Sequence, residues 1–148
     1  MEKVTLAHEN LTAALNKLEE AIGHFSGFKE SSDKNVLGFM NDEDLKESLR
    51  DSLIQRFEFC TDLFWKYLKK YLEIVVENPP EVNGPSPVIK AACKAKLLSE
   101  ADTENLLEMI KSRNLTSHTY REDIAEQISL NIPGFFKIMK KYAEILKA

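Results

Sequence analysis

Apolar residues recur at helical spacing along almost the whole chain. Val4, Leu11, Leu15, Leu18, Ile22 and Phe25 step by seven, four, three, four and three, which places them on one face of a first helix, with Gly27 positioned to end it. From Ser26 to Asn41 the pattern breaks around the polar cluster Ser31 to Asn35. That stretch reads as a loop, with Val36 to Met40 packing back and Asn41 or Asp42 capping the next helix. Leu45, Leu49, Leu53, Phe57, Cys60, Phe64, Leu68, Leu72 and Val75 then form a second stripe of about eight turns without a breaker. Asn78-Pro79-Pro80 ends it, and Asn83-Gly84-Pro85-Ser86-Pro87 is a turn-forming connection with too little chain on either side to be a domain boundary. Ser86-Pro87 starts a short third helix carried by Val88 to Leu98, and Ser99 to Asp102 is a cap in the manner of a capping box. Leu106, Leu107 and Ile110 carry a fourth helix. The last begins at Arg121-Glu122-Asp123, with acids in its first turn, and Asn131-Ile132-Pro133-Gly134 is expected to kink or interrupt it before Phe135, Ile138, Met139, Tyr142 and Leu146. No segment shows the period of two that a strand requires. The pattern predicts an all-α, up-and-down bundle of about five helices.

Composition narrows the class further. A chain of 148 residues fits one domain, residues 1–148, able to remove roughly 70% of its unfolded surface from water without cross-links. Cys60 and Cys93 follow no metal-ligand spacing and read as reduced thiols. Without a signal-like start or an apolar run of bilayer length, the chain is expected to be a soluble cytoplasmic protein that does not engage membranes. No Gly-rich phosphate loop, His-Glu-x-x-His pair or Cys-x-x-Cys pair occurs, so neither cofactor nor metal is expected. A formal net charge of −4 disfavours general electrostatic attraction to nucleic acid, so any such binding must use local patches. Three candidates stand out: Lys66, Lys69 and Lys70; Lys90, Lys94 and Lys96; and Lys111, Arg113 and Arg121.

The densest chemistry lies in Arg113-Asn114-Leu115-Thr116-Ser117-His118-Thr119-Tyr120. A guanidinium offers a permanent charge and a planar fork for phosphate, and an imidazole is the side chain that ordinarily titrates near neutrality. Together they suit metal-free phosphodiester cleavage. On a regular helix the five-residue step from Arg113 to His118 amounts to ~500°, so the two side chains diverge by ~140°. Three resolutions are open: the helix loosens near Leu115 and Thr116, the long Arg113 side chain wraps round, or a second subunit completes the site. Asn114 and His118, four apart, share a face, so the amide is a candidate to orient the ring. His8 and His24 stand alone and read as surface or boundary residues. Phe57, Phe59, Phe64, Trp65, Tyr67 and Tyr71 read as core and subunit interface.

The spacing Arg-x4-His-x-Tyr, here Arg113, His118 and Tyr120, resembles the signature of the HEPN toxins encoded with a minimal nucleotidyltransferase (MNT) antitoxin. The segments Ser52 to Phe59 and Trp65 to Lys69 resemble the long helix of the same proteins, also called nucleotidyltransferase substrate-binding subunits. The likeness runs from about Val4 to Leu146. It implies a HEPN-like fold with a four-helix-bundle core, a homodimer with a composite site, and a ribonuclease toxin that cuts RNA, with transfer RNA the first candidate, through Arg113 and His118. It further implies that Tyr120 receives AMP from a cognate MNT protein, and makes Glu58, within the matched helix, a candidate partner for Arg113 or another cation. Independently of the resemblance, 2′-OH attack needs a base and an acid on opposite sides of the phosphorus, and one motif histidine cannot occupy both. A two-fold dimer would supply two. The alternative is a non-catalytic subunit that presents substrate to a partner nucleotidyltransferase, as the second family name suggests.

Overall fold

The computed structural model describes residues 2–30 and 40–147. Among them five α-helices follow one another: α1 (Glu2–Glu30), α2 (Asp42–Val75), α3 (Pro85–Lys94), α4 (Glu100–Asn114) and α5 (Glu122–Ile145), with a 3₁₀ turn, Leu115–His118, between the last two. The described residues contain no strand. None of these helices is long and apolar enough to cross a membrane.

Side-chain ties fix the direction of each helix. His8 near the start of α1 reaches the Ala143 carbonyl near the end of α5, and the Tyr67 hydroxyl of α2 donates to the Leu146 carbonyl. Arg50 near the start of α2 meets Glu122 at the start of α5. Helices α2 and α5 therefore run the same way, with α1 and α4 opposed to them, and α3 lies in the connection between α2 and α4. This is an up-and-down four-helix bundle with one short extra helix. The long α2, at 34 residues ~51 Å, contacts every other helix and forms the spine.

The core follows the apolar stripes. Leu11, Leu15 and Leu18 of α1 meet Leu53, Phe57, Cys60, Phe64, Leu68 and Leu72 of α2, with Leu106, Met109 and Ile110 of α4 and Ile128, Ile132 and Met139 of α5. The cysteines are free, and burial pushes the Cys60 thiol up to about 12, which keeps it protonated. Asn41 caps α2 by accepting from the Asp44 amide at 2.8 Å, and Ser99 caps α4 by accepting from that of Asp102 at 3.1 Å.

Several boundaries depart from the sequence reading. Gly27 does not end α1, which continues to Glu30. The expected packing of Val36 to Met40 lies, apart from Met40, outside the described residues. Helix α3 begins at Pro85, after Gly84 at φ 97°, a backbone region that favours glycine, and it stops at Lys94 rather than Leu98. It stops there because Lys96 turns left-handed at φ 67°, letting the Leu97 amide return to the Ala92 carbonyl. Pro133 does not interrupt α5. A helix-interior proline costs ~3 kcal/mol, and the buried side chains of Ile128, Ile132, Phe135 and Met139 on either side offset it by holding both halves on the core.

The Asp102 carboxylate does not close a capping box. It accepts from the Tyr142 hydroxyl at 2.5 Å and from Lys141 at 2.8 Å, tying the start of α4 to the end of α5, and these partners hold its carboxyl below the usual range, Lys141 foremost. Tyr142 is buried, and its oxygen also accepts from the Ser99 amide. A hydrogen bond to a charged group contributes ~1.5–3 kcal/mol, so Tyr142→Phe should lower unfolding stability by about that amount in urea titrations. The same network fixes a pH dependence. A carboxyl depressed in the folded state stabilises fully above its unfolded value of ~3.9, and that contribution is lost as pH falls through the folded value. Acidification from about pH 5 to about pH 2 should therefore cost the wild type more stability than it costs Asp102→Asn.

Candidate functional site

The corner where α4 ends and α5 begins faces the middle of α2. Thr116 sits in this corner, buried, and its hydroxyl donates to the Arg113 carbonyl at 2.8 Å. Such a short side-chain bond offers the backbone an alternative to the α-helical ladder, and the chain passes into the 3₁₀ turn at Leu115. The helix thus tightens where loosening was one expectation. At ~120° per residue the 3₁₀ step still leaves Arg113 and His118 on different sides.

Arg113 turns toward α2. Its Nε and one terminal nitrogen donate to the two carboxylate oxygens of Asp62, each at 3.1 Å, and its other terminal nitrogen donates to Thr116 Oγ1 at 3.2 Å and lies 3.5 Å from Glu58. Asp62, more than any other neighbour, holds the guanidinium in its charged form, with Glu58 adding to the effect. Of the cations open to Glu58 it is Arg113 that lies within reach, and Asp62 is the stronger partner that the sequence reading missed. The two acids are four apart on α2, one above the other, and that spacing was the available signal.

His118 and Tyr120 lie on the outer side of the same corner. Their rings meet edge to face with centroids 6.1 Å apart, and Tyr120 is 81% exposed. Asn114 is exposed as well, and among the described residues no hydrogen bond joins its amide to His118, nor Arg113 to His118. One chain therefore brings Arg113 together with Glu58, Asp62 and Thr116, and His118 together with Tyr120, as two halves facing different ways.

The cations flanking the motif are engaged. Lys111 pairs with Glu108 and Arg121 with Asp123, each at 3.1 Å, so the patch around Arg113 is charge-balanced. A second network was not foreseen. Arg50, only 3% exposed, donates to both Glu122 oxygens at 2.6 and 3.0 Å, with Glu126 at 3.7 Å, and locks the first turn of α5 to α2 directly after Tyr120. Its guanidinium is closed to an incoming anion by burial, which distinguishes it from the 30% exposed Arg113 side chain, and it holds the Glu122 carboxyl below the usual carboxylate range. His8 is a tie to α5, and Phe57, Phe64 and Tyr67 are buried, while Phe59 is 50% exposed.

An all-α up-and-down bundle with a polar corner between its last two helices defines the class of protein. Residues 6–148 match the family described as nucleotidyltransferase substrate binding protein like, and the chain belongs to that family. No curated protein matches it. Among solved structures it is similar to a Thermus thermophilus protein, at 28% identity and a TM-score of 0.64 over 88% of this chain and 99% of that one. A Haemophilus influenzae protein described as revealing the fold of a substrate binding domain of a nucleotidyltransferase matches at 22% identity and a TM-score of 0.75, covering 95% of this chain and 99% of its own. A tri-AMPylated Shewanella oneidensis HEPN toxin, solved in complex with an MNT antitoxin, matches at 13% identity and 0.67, over 96% of this chain and 94% of that one. The last two likenesses establish the shared fold.

Proposed function

We propose that this protein is a HEPN-type ribonuclease toxin of a toxin–antitoxin pair, cutting RNA without a metal at a site composed from two copies of the chain. The observation that carries the reading is the division of the motif: Arg113 is braced against α2 while His118 stands exposed on the outer side of the corner, next to Tyr120. A second copy apposed on this surface would place two copies of His118 about one cleft, one to take the proton from the 2′-OH and one to give a proton to the leaving oxygen. Two Arg113 guanidiniums would stabilise the charge that builds on the phosphorane.

Tyr120 is then the regulatory residue. Its exposed hydroxyl is open to AMP transfer from a minimal nucleotidyltransferase partner, and an adenosine with a phosphate charge two residues from His118 would fill the cleft and repel an incoming RNA phosphate. The likeness to an AMPylated toxin in complex with its antitoxin supports this reading at the level of the fold. The second reading, a non-catalytic subunit presenting substrate to the nucleotidyltransferase, is favoured by the likeness to a substrate binding domain. Expression in cells separates the two. The wild-type chain should arrest growth and be silenced when the partner is co-expressed, whereas Tyr120→Phe should stay toxic in the partner's presence. Growth unaffected by the chain alone, at confirmed expression, would favour the presenting subunit.

A further inference from the structure

A groove of about 890 Å³ runs over the C-terminal half of α2, where the start of α1 and Asn83 close its edges. Lys3, Lys66, Lys69 and Lys70 line it together with Trp65. The acids that share it, Glu2 and Glu73, balance only half of those charges. In a chain with more acids than bases, four lysines around one groove are a local excess of positive charge. Among the described residues none of the four has a carboxylate within 4 Å; Lys69 donates to the Asn83 amide oxygen at 3.4 Å, and Lys66 lies 5.9 Å from the centre of the Trp65 ring. Lys90 and Lys94, likewise without an ion pair among the described residues, line a groove that holds no aromatic ring, so the indole is what sets this one apart. Uncompensated ammonium groups beside a half-buried indole are a surface suited to a chain of phosphates carrying flat bases.

The groove has a direction. Lys66 is four residues beyond Asp62 and so lies on the same face of α2, one turn from the carboxylate that braces Arg113. Lys69 is ~10 Å further along the axis than Asp62, so the positive charges are spread along the helix rather than gathered at one point. An isolated nucleotide would need a compact phosphate cradle, and the lysines are instead strung along the helix.

We propose that this groove is the track for single-stranded RNA flanking the cleaved bond, with Lys3, Lys66, Lys69 and Lys70 taking successive phosphates and Trp65 stacking a base. The proposal rests on the nuclease reading and gives its substrate a path. Because Trp65 is the sole tryptophan of the chain, its fluorescence reports this groove alone. In a His118→Ala background, where RNA stays intact, titration with a dye-labelled single-stranded RNA oligonucleotide should quench Trp65. Adding Lys66→Ala, Lys69→Ala and Lys70→Ala together should abolish the quenching and flatten the dependence of log Kd on log salt by about 2, three phosphates at ~0.7 each. Circular dichroism confirms that the triple variant keeps its helices. RNA that binds with Trp65 silent and the salt slope unchanged would overturn the groove, as would quenching by ATP with none by RNA. Cleavage assays in the His118 protein separate this from the parent reading: cutting that continues in the triple variant at unchanged KM removes the track alone, whereas no cutting by either protein removes the nuclease.

Discussion

His118→Ala should reduce RNA cleavage by ~10²–10⁴ per proton transfer lost, and by more if the proposed dimer loses both copies of the residue, while leaving the fold intact. The asymmetry between activity and stability is the informative part. His118 is exposed, closes the 3₁₀ turn, and among the described residues packs its ring edge to face with that of Tyr120, so its removal opens no cavity and strands no buried partner. Unfolding midpoints in urea should differ little between the two proteins, and single-turnover cleavage should differ greatly. Equal cleavage rates would remove His118 from the reaction.

Arg113→Ala should cost ~10²–10³ in the chemical step, the usual loss when a donor to developing negative charge is removed. The structure adds a sharper expectation through Asp62. The two parallel hydrogen bonds from Arg113 to Asp62 fix the plane of the guanidinium and direct it along α2, and a misplacement of ~1 Å can cost about 10²-fold. Asp62→Ala should therefore lower kcat while the guanidinium keeps its charge, Glu58 being still at hand. Were Asp62 instead a restraint that sequesters Arg113 from RNA, the same substitution would raise activity. Arg113→Lys should fail to restore function, because a point charge cannot form the planar, two-bond pairing.

The apolar stripes of α1 and α2 were legible in sequence because burial of one helical face needs only periodicity. Leu11, Leu15, Leu18, Phe57, Phe64 and Leu68 are all buried where the spacing places them. The partners of polar residues were not legible to the same degree. Asp62 looks like any acid on a solvated face until α4 is docked against it, and Arg50 interrupts the expected apolar stripe by taking a buried place that Leu49 only half fills. Both depend on which helix packs beside α2, a tertiary fact. Pro133 misled for the converse reason: its local rule is sound, and packing on both sides overrides it. At the site, Arg113, His118 and Tyr120 were proposed as the chemical residues from their spacing and family likeness, whereas their separation into an inward and an outward half came only with the 3₁₀ turn.

The central claim is that this chain cuts RNA with its own side chains. It is tested most directly by incubating the purified wild-type protein with transfer RNA in EDTA, beside His118→Ala, after confirming that both are folded and share one oligomeric state. Cleavage by the wild type that persists under chelation and disappears in the variant is the expected result. Intact RNA in both samples would contradict the claim and leave the protein as a subunit that presents substrate to a nucleotidyltransferase.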